Sequence, residues 1–529
     1  MNPISSTSTV PGDLQVEVLI VGAGPTGLTL ACDLARRGIS HRLIERSESY
    51  STASRAKTIQ PRALEVADDL GIAKSILIKG LVDLPARYYN VDGNFVDKQG
   101  LAVAADGKLS TPYTNPIWIA EFDVEAALRD RYAQFGGQVE LNTTATGLSQ
   151  DPGGAAVTVD TPNGIRTIRA RYVVGADGGK SSIRKFIGAQ LVGDTYENQR
   201  WYLGDVRIEG LDRSRMHVWA SAEGMLGLTP LPSTDIWQLQ STIPPDIENP
   251  EQPSLELYQA MLSRRAGAAN VVITHASWLS IYRVNVRMVD HYQRGNVFLA
   301  GDAAHVHSPA GGQGMNTGMQ DAYNLGWKLA AVLRGADAAL LETYDEERRP
   351  IARTVLEDST KKLGAMMKTV TESGKLSKSL GTISDDLTSG LLVAYPASSL
   401  TRPMAEASKQ GPRPGERAPD ASGLHGEDFA GSIFDLLRGP HWTLLAFTDS
   451  SESPLPGIES EELHVHRIAG TDMKAANVFV DRRGDAYRAY APEGNELVLI
   501  RPDGYIAVRC KSEDAALITN YLALVIPGA

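Results

Sequence analysis

The stretch VEVLIVGAGPTGLTLACDLARRG, Val16 to Gly38, leaves the N-terminal part of this chain few folds to choose from. Val16–Val21 is a short, mostly apolar run rich in β-branched residues, which predicts a buried strand. Gly22, Gly24 and Gly27 follow as G-x-G-x-x-G, and Leu28, Ala31, Leu34 and Ala35 then recur at helical spacing. A second strand, HRLIERS, carries Glu45 and Arg46, with Glu45 about 20 residues beyond the middle glycine. Each part has a physical task. Gly22 permits the tight turn, Gly24 lets backbone N–H groups approach a pyrophosphate, and Gly27 lets the helix pack closely on the strand. Pro25 and Thr26 open the helix, whose positive end faces phosphate. Glu45 is an acceptor for ribose hydroxyls. Strand, turn, helix and acid together predict a Rossmann-like dinucleotide-binding unit in an α/β fold. The motif alone does not separate FAD from NAD(P).

The rest of the composition narrows the function. The chain has 529 residues, room for two to four domains. A net charge of −11 argues against nucleic-acid binding, which needs a basic face, and against docking on an anionic membrane. No window approaches 18 uninterrupted apolar residues, so no membrane span is expected. Cys32 and Cys510 are the two cysteines; they allow no disulfide framework and no Cys-rich zinc site, and suit a reducing compartment. MNPISSTSTVPGDLQ lacks the basic start and apolar core of a secretory signal and reads as a disordered leader. The expected location is the cytoplasm.

Two further glycine–acid turns follow. In YVVGADGGKSSIRKFIG a strand delivers Asp177 into a glycine turn, and Ser181, Ser182 and Arg184 open a helix. In GNVFLAGDAAHVHSPAGGQGMNTGMQDAYNLGWKL a strand runs into Gly301-Asp302, and Asp302 sits at the carboxyl end of that strand, where open α/β sheets bind ligands. His305 and His307, two apart and without clustered carboxylates or cysteines, are poor metal ligands, so no metal is expected.

The three turns, in this order, resemble those of the FAD-dependent aromatic hydroxylases, single-component flavoprotein monooxygenases related to p-hydroxybenzoate hydroxylase. The likeness extends through SRAKTIQPRALEVADDLGI (54–72), IAEFDVEAAL (119–128) and YDEERRPIA (344–352), and so covers essentially residues 16–360. GPRPGERAPD, FDLLRGPHWTLLAF and LVLIRPDGYIAVR resemble the thioredoxin-like appendage of the larger hydroxylases, those acting on phenols, aromatic polyketides and antibiotics such as rifampicin. No C-x-x-C is present there, so a packing or dimer role is expected of it.

The resemblance implies FAD as cofactor, with NADPH or NADH and O₂ as co-substrates and a C4a-hydroperoxyflavin as oxidant. Asp302 would bind a ribityl hydroxyl. Pro309, Gly312, Gly314, Met315 and Asn316 would lie against the isoalloxazine ring, where a helix N-terminus and aligned amides favour the charge of reduced flavin. Arg55 would stand near the mobile flavin and the incoming nicotinamide nucleotide; with Pro309 it is the candidate catalytic residue. Glu121 replaces the family's usual glutamine and would contact the ribityl chain as an acceptor. Asp177 would support the pyrophosphate region through backbone geometry.

Domain boundaries are expected at 1–190 and 297–360 for the FAD domain, 191–296 for an inserted β-sheet substrate domain, 361–414 for a helical linker region, and 415–529 for the thioredoxin-like domain. Trp201, Tyr202, Trp219, Met225, Trp237, Trp278 and Tyr282 are candidate walls of a cavity for a flat aromatic substrate, with few Arg or Lys expected there. The protein would act as a monomer or homodimer. Two other functions remain open: Baeyer–Villiger or epoxidising chemistry on the same scaffold, and an FAD-containing protein that binds an aromatic ligand without turnover.

Overall fold

The computed structural model describes all residues except 1–13, 91, 99–108, 222, 268–269, 309–311, 374–386, 403–409, 449, 451–454, 456, 458–459, 472–476 and 527–529. The leader and Pro309 therefore lie outside the described residues, as does much of 361–414.

The first sheet runs Gln293–Arg294, Val297–Leu299, Gly164–Gly175, Leu14–Val21, His41–Ile44, Val139–Glu140, with Gly154–Thr161 and Thr144–Asp151 extending it as antiparallel strands from Gly164–Gly175. The pairings from Val297–Leu299 to Val139–Glu140 are parallel. Parallel strands are covered on both faces, which is why Val18, Leu19 and Ile20 show no solvent exposure at all. The predicted helix is Pro25–Arg36, with Pro25 at its first turn, where the missing N–H costs nothing. It packs on a second helix, Gly314–Leu333, which is buried on every side. Its inner side meets the first helix. Its outer side meets the C-terminal domain, through Trp327 edge-on to Trp442 (5.4 Å) and Tyr323, whose hydroxyl donates to the carbonyl of Pro502.

The second sheet is built on two long antiparallel strands, Val192–Glu209 and Val272–Met288. Its order is His305–Val306, Val272–Met288, Val192–Glu209, Ile236–Ile243, Gly224–Pro230, Met216–Ser221, Ala86–Tyr89, Phe95–Lys98. Strands from 86–98 and 305–306 thus complete a sheet whose main strands lie within 191–296. Helix Leu255–Ala266 packs Tyr258, Met261 and Leu262 into the hydrophobic core on one face.

The C-terminal sheet places Trp442–Phe447, Leu463–Ala469 and Val478–Asp481 in parallel, then Glu496–Ile500 and Ile506–Lys511 antiparallel, followed by helix Ala516–Val525: a thioredoxin-like order. It is not a loosely tethered appendage, because Trp442, Leu444, Leu497 and Tyr521 belong to the same continuous core as the first sheet.

Cys32 and Cys510 are both buried. Burial pushes each thiol up to about 12. The reactive thiolate is therefore scarce at neutral pH. A thiol-specific reagent is expected to label neither cysteine in the folded protein and both after denaturation; rapid labelling of the native chain would contradict this packing.

Candidate functional site

The glycine turn is shaped by backbone crowding. Gly22 holds a φ of +104°, and a Cβ there would run into the carbonyl of Ala176; a Cβ on Gly27 would overlap the carbonyl of Gly22. Gly24, the residue that caps the helix, has open space where a side chain would be. The backbone of Gly24, Pro25 and Thr26 is left facing a large cavity. Glu45 reaches back over this turn: its carboxylate accepts from Ala23 N (3.0 Å) and from the amide and hydroxyl of Ser47.

The cavity has a volume of about 1620 Å³. That exceeds the roughly 300–1,000 Å³ of a pocket for one ligand and leaves room for a cofactor and a second molecule together. Two helix N-termini meet it, those of Pro25–Arg36 and Gly314–Leu333, so the partial positive charge of both favours an anionic group inside. Asp302 also lines it, exposed, with no protein donor to its carboxylate among the described residues. It is an open acceptor, as a cofactor hydroxyl requires. Bare glycine backbone, two helix N-termini and an unengaged carboxylate form a donor and acceptor set that fits FAD.

Asp177 is engaged otherwise. It accepts from the Ser181 hydroxyl and from the amides of Ser182 (2.6 Å) and Ile183, and so pins the short helix Ser182–Phe186. Arg184 of that helix donates to the carbonyls of Ala303 (3.0 Å) and Gly179 (2.7 Å), tying the second glycine turn to the third.

Arg55 is exposed at the cavity wall. Glu121 lines the wall beside it, and its carboxylate accepts from the amides of Arg55 (2.9 Å) and Ala56 (2.8 Å). The acid at this position therefore shapes the SRAKT turn as well as facing the cavity. Burial pushes its pKa up, against the Ala56 amide and Arg55, which pull it down. Glu125, one helical turn further on, also lines the cavity; burial and the charge of Glu121 push it up to about 8, so it is largely neutral at pH 7.

One wall of the cavity is a face of the second sheet. Trp201, Met225, Trp278 and Tyr282 line it, joined by Tyr88 and Trp118 from outside the inserted segment. Tyr202, Trp219 and Trp237 do not. Adjacent residues of a strand face opposite ways, so Trp201 meets the cavity while Tyr202 packs on Tyr258 beneath the sheet. Trp219 stacks on Tyr89 (4.9 Å), and Trp237 is wholly buried. The expectation of a wall poor in cations also fails: Lys57, Arg283 and Arg287 line it. Lys57 comes from the SRAKT turn, not from the insert.

Other expected cofactor contacts are placed differently. Asn316 does not line the cavity; its amide donates to the carbonyls of Gly312 (2.7 Å) and Thr58 and accepts from Gln60 N (2.7 Å), fastening the glycine loop to strand Thr58–Ile59. Gly22, Gly27 and Glu45 shape the turn from behind, whereas Arg46, Gly312, Gly314 and Met315 line the cavity. His307 lines it too, with burial holding its pKa down and the ring neutral, while His305 is paired to Asp321 (2.7 Å) inside the protein. Among the described residues, no three His, Cys, Asp or Glu side chains gather as metal ligands, and no helix is long and apolar enough to cross a membrane.

A glycine turn and an aromatic-lined sheet that face one cavity suit a dinucleotide cofactor beside a small organic molecule. Comparison with known proteins carries this further. A family model described as FAD binding domain matches residues 15–359, and one described as aromatic-ring hydroxylase, C-terminal, matches 411–525. A flavin-dependent monooxygenase of Mycobacteroides abscessus is 37% identical over 96% of this chain and 100% of its own length. The pentachlorophenol 4-monooxygenase of Sphingobium chlorophenolicum is 32% identical over 95% of each chain. The crystal structure of aklavinone-11 hydroxylase with FAD and aklavinone is 26% identical and superposes with a TM-score of 0.80 over 97% of this chain and 99% of its own. The chain belongs to the FAD-dependent aromatic hydroxylases, monooxygenases that bind FAD and use O₂ and a reduced nicotinamide.

Proposed function

We propose that this monooxygenase hydroxylates a flat phenolic or polycyclic aromatic, of the polyketide or antibiotic kind, with NADPH or NADH as reductant. The observation that carries this reading is the single cavity running from the glycine turn to Trp201, Trp278 and Tyr282. The names of the relatives support it, since they give pentachlorophenol and aklavinone as what those proteins act on.

Bound FAD supplies the activated oxygen. This chain's own residues do the rest. The backbone of Gly24–Thr26 and the helix behind it would hold the pyrophosphate, and Asp302 would accept from a cofactor hydroxyl. Gly312, Gly314 and Met315, at the start of the long helix, would place amide dipoles by the flavin ring. Arg55, exposed on the wall, would pair with a phosphate of the nicotinamide nucleotide. The aromatic floor would orient the substrate and exclude water. We assign FAD binding to 1–190 and 297–360, substrate binding mainly to 191–296, linkage to 361–414, and the C-terminal domain to 415–529. Two buried, unpaired thiols support a cytoplasmic location.

Asp302→Ala is expected to weaken FAD binding about tenfold or more, the worth of a hydrogen bond to a charged group. Fluorescence titration of the apoprotein with FAD measures it. For substrate class, a panel of phenols, anthracyclinones and tetracyclines is offered with NADPH. Accelerated NADPH oxidation by polycyclic phenols supports the reading; acceleration only by non-aromatic ketones would overturn it.

A further inference from the structure

Lys57 belongs to no role assigned so far, yet its side chain sits at the junction of the two halves of the cavity. Its ammonium nitrogen donates to Thr229 Oγ1 (3.1 Å) and Gln240 Oε1 (2.9 Å). Both acceptors stand on neighbouring strands of the second sheet, Gly224–Pro230 and Ile236–Ile243, and both line the cavity. Gln240 is itself oriented: its Nε2 donates to Gln238 Oε1 (3.0 Å), and Gln238 donates to the carbonyl of Ser54. The chain of amides returns to the SRAKT turn and presents oxygen, not nitrogen, to the lysine.

Two of the three ammonium hydrogens thus have protein acceptors, and Lys57 lines the cavity. Asp205, on strand Val192–Glu209, is the carboxylate that acts on the lysine electrostatically. Its Oδ2 accepts from Ser54 N (2.6 Å), while its buried Oδ1 has no partner among the described residues. The other titratable and charged groups lining the cavity are Arg46, Arg55, Tyr88, Glu121, Glu125, Asp177, Lys180, Arg184, Lys185, Glu248, Tyr282, Arg283, Arg287, Asp302, His307 and Lys362.

We propose that Lys57 is the acid–base residue of the substrate site, taking the proton of a bound phenol and returning it to the hydroxylated product. The inference rests on the phenolic reading above. In the forward step the substrate O–H bond breaks, its electron pair stays on oxygen, and a bond forms between that proton and the neutral amine of Lys57. The pair becomes phenolate and ammonium with no change in net charge and no electron transferred. The phenolate oxygen pushes electron density into the ring positions that an electrophilic oxygen attacks. After oxygen transfer the C–H bond at the attacked ring carbon breaks, its electron pair restores the aromatic ring and its proton leaves to water; the ammonium of Lys57 then returns its proton to the product's phenolate oxygen, and product is released.

The local electrostatics suit this exchange. Burial pushes the Lys57 ammonium down to about 7, with Asp205 opposing that shift. Burial also holds Asp205 up at about 6. An amine that titrates near the working pH is available both to accept and to return a proton.

The test uses FAD-loaded wild-type protein, Lys57→Met and Lys57→Arg, with 4-nitrophenol as probe, because its phenolate absorbs in the visible. Wild type is expected to hold the bound probe as phenolate at a lower pH than in solution. Lys57→Met should raise the ionisation of the bound probe by roughly one to three pH units, the size of the effect of one neighbouring charge. Lys57→Arg keeps a cation but accepts no proton. It should retain the bound probe as 4-nitrophenolate, yet lose about a hundredfold in NADPH oxidation stimulated by a weaker phenol that is neutral in solution near neutral pH. That loss should recover where the phenol is already ionised in solution. A purely structural lysine would not split the two readouts. FAD retention and melting temperature verify folding, with Lys57→Gln in reserve for a variant that fails them. Equal probe ionisation and equal pH profiles in wild type and Lys57→Met, with phenol still hydroxylated, would overturn the assignment alone. A wild-type enzyme that binds no phenol and oxidises another class of compound would overturn the phenolic reading, and this role with it.

Discussion

Gly27→Ala is expected to purify without flavin colour. A Cβ at this position would overlap the carbonyl of Gly22, with the side chain of Ile20 on its other side. Neither neighbour can move freely. Gly22 is already held at a φ of +104° against Ala176, and its amide donates to the carbonyl of Ile44 (2.8 Å). Ile20 is fully buried in the central strand. The helix Pro25–Arg36 must therefore shift away from the strand, carrying with it the amides that would meet the pyrophosphate. Overpacking of this kind costs about 3 kcal/mol, roughly a hundredfold in FAD affinity if borne by the bound state. Flavin absorbance per polypeptide, and a far-ultraviolet spectrum to show that the chain is folded, measure it. Gly24→Ala separates packing from cofactor contact: its Cβ meets no protein atom, so the strand and helix should stay in register and any loss of flavin there comes from crowding of the cavity that Gly24 faces.

Arg501→Met is expected to destabilise the whole molecule, not the C-terminal domain alone. Arg501 follows strand Glu496–Ile500 and donates to both oxygens of Glu347 (2.6 and 2.9 Å) on helix Glu342–Ser373, and to Asp503. Lys328 donates to Glu347 as well (2.7 Å), and each of these four side chains is at most 1% exposed. Two buried cations balance two buried anions. Removing Arg501 leaves Glu347 and Asp503 against Lys328 alone, an uncompensated buried charge that costs about 3–5 kcal/mol. Denaturant unfolding should show this, and adding Asp503→Asn to the variant should recover part of the loss by restoring the balance. Burial pushes Glu347 up, but Arg501 and Lys328 outweigh it and hold its carboxyl well below the usual range. Its contribution is therefore complete above the ordinary carboxylate pKa and is lost only as pH falls into strong acid, so the wild-type protein should keep this part of its stability throughout the neutral range.

These two predictions lie at opposite ends of what the sequence makes legible. Gly27 was readable because strand, turn and helix are contiguous, and their geometry forces the residue type. The place of Asp302, at the end of a strand and on the cavity wall, is legible for the same reason. The aromatic floor was half readable. Trp201 and Tyr202 are adjacent on one strand, so only one can face the cavity, and no local signal fixes the phase of the alternation. The resemblance sets Asn316 against the flavin ring; its partners in the fold, Thr58 and Gln60, lie more than 250 residues away in sequence. Lys57 was present in the SRAKT motif but silent, since the groups that give it chemistry, Thr229 and Gln240, are on a different sheet 172 and 183 residues on. The Arg501–Glu347 network was hidden likewise, because its charges come from two domains.

On the proposed reading, the chain transfers one oxygen atom from O₂ to an aromatic ring held on the second sheet. The direct measurement is turnover of the FAD-loaded protein with NADPH, isotopically heavy O₂ and a polycyclic phenol, followed by mass spectrometry and product structure. Phenol-stimulated NADPH oxidation and a ring-hydroxylated product carrying one heavy oxygen atom are the expected result. NADPH oxidation unaffected by every aromatic offered, with all the heavy oxygen recovered as peroxide or water, would contradict it.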